Sequence, residues 1–136
     1  MKSEPKSILW IEDDYKQLID LIEPMRDEGY LFDFAIDEKT ALEKINGAEY
    51  DLIILDIIIP EDISSEILEP SLFIGSRLAK KILIDKKITT PIVVCSVVND
   101  QRIKDELADL NIKMILPKGR ILPSQLKILL ESILEG

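Results

Sequence analysis

Asp56 stands inside the most apolar run of the chain, residues 52–60 (LIILDIIIP). An ionised carboxylate in such surroundings is costly unless something compensates it. Three other short pieces carry groups that would do so: Glu12, Asp13 and Asp14 follow ILWI, Ser96 follows PIVVC, and Lys118 follows ILP. Carboxylates gathered at one place repel one another and call for a neutralising cation. The chain has no histidine and a single cysteine, Cys95, so the available ligands are oxygens and the cation should be hard, Mg²⁺ foremost. The same composition removes Ser-His-Asp and Cys-His nucleophiles, imidazole metal sites, an internal disulfide and phosphohistidine on this chain. A carboxylate on Mg²⁺, beside a lysine and a hydroxyl, is suited to taking a phosphoryl group. The cations offset charge growing on the equatorial oxygens, and the hydroxyl donates to one of them.

These residues share a site only if the chain folds so as to bring four sequence positions to one rim. Short β-rich apolar runs alternate with stretches of helical period, the signature of an α/β fold. Strands are expected at 7–11, 31–35, 52–55, 92–95 and 114–116. The first should be buried on both faces, since Ile8, Leu9, Trp10 and Ile11 are continuous rather than alternating. Helices are expected from about Asp14 to Glu28, after Asp37 as cap, near 76–84, over 100–110, and from Pro123 onward. Pro24 should kink the first of them and Gly29 should stop it. Five strands and five helices in alternation make a parallel sheet covered on both faces, and ligands of such sheets lie beyond the carboxyl ends of the strands. Glu12 and Asp13, Asp56, Ser96 and Lys118 all fall at those ends.

The pieces ILWIEDD (8–14), YDLIILDIIIP (50–60), PIVVCSV (91–97) and ILPKG (115–119) resemble, in order and over essentially the whole chain, the receiver domain of two-component response regulators. The resemblance implies a flavodoxin-like doubly wound sheet of order 2-1-3-4-5. It makes Asp56 the phosphoacceptor and assigns Mg²⁺ to Asp13, Asp56 and the backbone carbonyl of Ile58, with Glu12 bound through water. It makes Ser96 the switch hydroxyl and Lys118 the lysine that pairs with the phosphoryl group. Its implied partners are a histidine kinase or phosphotransfer protein as donor and a downstream protein target. A homodimer through the face of the fourth helix, fifth strand and fifth helix is a further implication.

Four features depart from the family pattern. Gly119 follows the lysine where a proline with a cis bond is usual. Ile115 takes the place of the switch aromatic, so the usual aromatic swing has no counterpart. Val97 replaces a small residue, and Ile58 and Val98 are apolar where the family tunes attack by water; slow autodephosphorylation is the expectation. The glycine that normally follows Pro60 closely appears only at Gly75, leaving an expanded acidic loop at about 61–74. That loop reads first as a solvated segment and second as a lid or docking surface.

At 136 residues, 46% of them hydrophobic, the chain has the size and composition of a single domain, read here as a lone receiver without an output domain. Residues 1–7 lack the apolar stretch of a signal peptide, and no run is long enough to span a bilayer, so a cytoplasmic protein is expected. The net charge of −9 argues against direct nucleic-acid binding. Two alternatives remain. One is a pseudo-receiver that keeps the fold as an interaction module without phosphorylation. The other is an aspartyl-phosphate phosphatase, disfavoured because Asp56 is followed by Ile57 and Ile58 rather than by a DxD motif. No catalysis is expected beyond self-phosphorylation and autodephosphorylation.

Overall fold

The computed structural model describes residues 5–12, 15–56, 90–96, 112–117 and 121–135. The continuous apolar runs form the interior of a five-stranded sheet in the order β2-β1-β3-β4-β5. The strands are β1 (Ser7–Ile11), β2 (Leu31–Ala35), β3 (Leu52–Asp56), β4 (Ile92–Ser96) and β5 (Ile112–Pro117). All four pairings are parallel, with a register shift between β4 and β5 at Ile92/Val93. Every residue of β3 is buried. A strand paired on both sides and covered on both faces has no position left for a solvated side chain.

Side chains alternate between the faces. Ile8, Trp10, Leu52, Ile54, Val93, Cys95 and Leu116 build one core with Ile22 and Met25 of α1 (Ile19–Asp27) and with Leu126 and Leu130 of α3 (Pro123–Glu135). The opposite face holds Leu9, Ile11, Ile53 and Leu55, and α2 (Glu38–Gly47) contributes the buried Ala41 and Ile45. The order 2-1-3-4-5 and the parallel sheet match the sequence reading. Helices expected near 76–84 and over 100–110, and the acidic loop at 61–74, lie outside the described residues.

The helix ends follow local chemistry. Gly29, at φ +100°, closes α1 in the left-handed region that glycine enters without a Cβ penalty. The expected start of that helix near Asp14 is corrected: a 3-10 turn over Tyr15–Leu18 precedes α1. The expected kink at Pro24 does not break the helix, because the bond it cannot make would end on Asp20, in the first turn. Helix α3 has no Ser, Thr, Asp or Asn at its cap. Instead the Gln125 side chain reaches back and accepts from the backbone N–H of Leu122 at 2.9 Å, one half of a capping box. Asp37 caps α2 by accepting from the Thr40 N–H at 2.7 Å. Asp37→Ala is expected to cost about 1 kcal/mol and Asp37→Asn markedly less, because asparagine also caps. Urea unfolding of the two variants measures this.

At the amino ends of the strands, the Ser7 N–H donates to Asp51 Oδ2 at 2.8 Å and the Asp51 N–H to the Ser7 carbonyl at 2.8 Å. This stitching holds β1 to the start of β3. A second polar knot joins β2, α2 and the residue chain leading into β3. Lys44 Nζ lies 3.0 and 3.2 Å from the Asp33 carboxylate oxygens, and Tyr50 Oη donates to Asp33 Oδ2 at 2.8 Å. Burial alone would raise the Asp33 carboxyl, but the bonds from Tyr50 and Lys44, with the lysine charge, hold it below its ordinary value. Tyr50 is pushed up from 10.0 to about 12, first by burial and then by its bond to Asp33 and the charge there.

Because the folded state holds the Tyr50 proton more tightly than the unfolded chain, its contribution is intact below pH 10.0 and is lost as pH rises to about 12. Tyr50 is only partly buried, so solvent screening reduces the decline expected from this group to on the order of 1 kcal/mol. Tyr50→Phe should lack that part of the alkaline loss, read by comparing urea midpoints of wild type and variant across this range. Asp33 works in the opposite direction: its stabilisation is present above the ordinary carboxylate value and disappears as pH falls through its depressed one.

Candidate functional site

Glu12 and Asp56 meet at the carboxyl rim of the sheet. Ile11 pairs with Leu55, so the next residues of the two segments, Glu12 and Asp56, stand side by side on adjacent strands about 4.8 Å apart. The Glu12 N–H donates to the Ala35 carbonyl at 2.8 Å, which carries the β1–β2 ladder one residue past β1 and fixes the backbone there. Counting alternation from Ile8 and Trp10, and from Leu52 and Ile54, both acidic side chains belong to the face covered by α1 and α3. Both are buried, Glu12 at 1% and Asp56 at 3% exposure.

The other side of the site is set by β4 and β5. Asp56 pairs with Cys95, Cys95 with Leu116, and Ser96 with Pro117. Ser96 thus ends its strand one step beyond the level of Asp56, and Lys118 is the next residue after Pro117. Asp13, Ile58, Val97, Val98, Lys118 and Gly119 lie outside the described residues. Ile115 is on β5 beside Val94 and is 41% exposed. Cys95 and Trp10 are core residues, as read from the sequence.

Two further acidic residues are buried beyond β2. Asp37, read only as a helix cap, and Glu38 are both buried just after β2, whose last residue accepts from Glu12. Their signal was available: an acidic pair follows β2 as another follows β1. Among the described residues, no group of three or more Asp, Glu, His or Cys stands close enough to hold a metal ion. Glu12 and Asp56 nevertheless offer what a hard divalent cation requires. They are oxygen donors, buried, of like charge and on adjacent strands, in a chain with no imidazole to compete.

Comparison with solved structures gives matches over nearly the whole chain. A CheY-like response regulator receiver domain protein from Methanospirillum hungatei JF-1 superposes with a TM-score of 0.79 at 18% identity, covering 96% of this chain and 94% of that one. A two-component response regulator from Clostridium difficile gives 0.77 at 26% identity, with 96% of each chain covered. A response regulator of Thermotoga maritima, solved in complex with Mg(2+)-BeF, gives 0.71 at 25% identity, covering 94% of this chain and 98% of that one. The chain has the fold of a CheY-like response regulator receiver domain. Neither protein-family profiles nor curated proteins give a match. Among the described residues, no helix is long and apolar enough to cross a membrane.

Proposed function

We propose that the protein is a phosphorylation-dependent receiver of two-component signalling, with Asp56 as the acceptor. The observation that carries this reading is the placement of Asp56 and Glu12, both buried, on adjacent strands at the carboxyl rim of a receiver sheet. That is where an open parallel sheet binds its ligand.

In the proposed reaction a carboxylate oxygen of Asp56 attacks the phosphorus of a donor phosphohistidine. The P–N bond breaks, its electron pair returns to the imidazole, and an acyl phosphate remains on Asp56. Asp13, Asp56 and the Ile58 carbonyl would hold Mg²⁺, with Glu12 acting through water, and the ion when bound supplies charge neutralisation at the phosphoryl oxygens. Lys118 pairs with one phosphoryl oxygen and the Ser96 hydroxyl donates to another. Val97, Val98 and Ile58 restrict water and slow autodephosphorylation. The donor is a histidine kinase or phosphotransfer protein and the output is contact with another protein. The T. maritima response regulator, solved with Mg(2+)-BeF, supports the choice of Mg²⁺.

The test is treatment of the purified protein with Mg²⁺ and a small acyl phosphodonor, followed by intact mass measurement. One phosphoryl group per chain is expected, dependent on Mg²⁺ and lost slowly. No adduct under conditions that phosphorylate a control receiver would leave the pseudo-receiver reading in its place.

A further inference from the structure

The outer edge of β2 is guarded. Among the described residues, β2 has β1 on one side and no strand on the other. The Leu31 N–H donates to the Lys6 carbonyl at 2.9 Å, and the Ala35 carbonyl accepts from Glu12 at 2.8 Å. Residues 31, 33 and 35 therefore turn their peptide groups toward β1, and by the two-residue period those of Phe32 and Phe34 point outward. Such an edge is a template for another strand. Leu31, 56% exposed at its start, is an apolar residue that a second strand would cover.

The Phe34 N–H is already occupied: it donates to Asp33 Oδ1 at 2.9 Å. The carboxylate cannot easily leave, because Lys44 from α2 holds both of its oxygens and Tyr50 donates to Oδ2. An incoming strand would have to displace a charge-assisted bond whose acceptor is anchored from two other elements. Aspartate is disfavoured within strands, so its presence at the middle of a five-residue one calls for such a local reason.

We propose that Asp33 is an edge guard that prevents β2 of a second copy from pairing, antiparallel and two-fold symmetric, with β2 of the first. Lys44 and Tyr50 are the residues that hold the guard in position. The proposal is independent of phosphorylation.

The test has two parts. In the wild type, backbone hydrogen exchange should be about tenfold slower at Phe34 than at Phe32, whose outward N–H has no acceptor among the described residues. Equal rates would overturn the proposal. In sedimentation velocity, Asp33→Ala should show concentration-dependent self-association beyond that of wild type, and adding Leu31→Lys should remove it. Asp33→Asn keeps an oxygen acceptor for Phe34 and should sediment as wild type. Association by Asp33→Asn as strong as by Asp33→Ala, or none by a folded Asp33→Ala, would refute the guard. The exchange comparison stands even if Asp33→Ala does not fold.

Discussion

Replacing Asp56 with asparagine is expected to abolish the response of the protein to Mg²⁺ and to phosphodonors. Asp56 and Glu12 are buried side by side at the carboxyl rim, where oxygen ligands for a hard cation gather. Asparagine keeps the shape and the hydrogen-bonding capacity of the side chain and removes the anionic oxygen that would bind the ion and attack phosphorus. The wild type should gain stability when Mg²⁺ binds, by about 2.7 kcal/mol at a hundredfold excess over the dissociation constant, since a ligand that binds only the folded state stabilises by mass action. Urea unfolding with and without Mg²⁺ reads the effect. The wild-type midpoint should rise with the ion, whereas that of the variant should stay flat. A variant equally responsive to Mg²⁺ would contradict the site. A wild type that responds to Mg²⁺ yet takes no phosphoryl group would mark a pseudo-receiver with an intact cation site.

The placement of Asp56 was legible because buried parallel strands write themselves as continuous apolar runs. Once residues 8–11, 52–55 and 92–95 are read as strands, the residues after them must share a rim. The register that sets Glu12 beside Asp56 needed the structure, since shifting a pairing by one residue leaves an apolar run looking the same. The 3-10 entry to α1 and the cap that Gln125 gives α3 were missed because both depend on how the first turn closes, not on apolar period. The Asp33–Lys44–Tyr50 knot was missed for another reason. Its members are far apart in sequence and meet only when α2 docks on β2.

On the proposed reading, acceptance of a phosphoryl group and the response to it rest on different parts of this chain. The first rests on Asp56 and Glu12, whose backbone positions are fixed by ladders to β1, β2, β3 and β4. The second usually involves an aromatic side chain on β5 that changes exposure. Ile115 lacks a ring and is 41% exposed. A receiver with an aliphatic residue there has no aromatic swing along β5 to report that the site is filled.

The other large effect expected is in the core under the site. Trp10 lies two residues before Glu12 on the same face, 2% exposed, against Ile22, Leu126 and Leu130 of the covering helices. Trp10→Ala should cost about 3–5 kcal/mol through lost burial and the cavity left behind. That approaches the whole stability of a domain of this size, so the variant should be largely unfolded in mild denaturant. Trp10→Phe should cost far less than its volume change suggests. The indole Nε1 is buried and makes no hydrogen bond among the described residues. Removing a buried donor that has no acceptor recovers part of its desolvation cost, on the order of 1 kcal/mol, and offsets part of the packing loss. The net expectation is a loss under about 1.5 kcal/mol. Because the backbone of Glu12 is held by Ala35 and that of Asp56 by β4, the phenylalanine variant should still take phosphate. Urea unfolding and intact mass after phosphodonor treatment test both halves. A Trp10→Phe variant as unstable as Trp10→Ala would mean that the indole N–H contributes a bond, and one that folds but fails to take phosphate would make Trp10 part of the site.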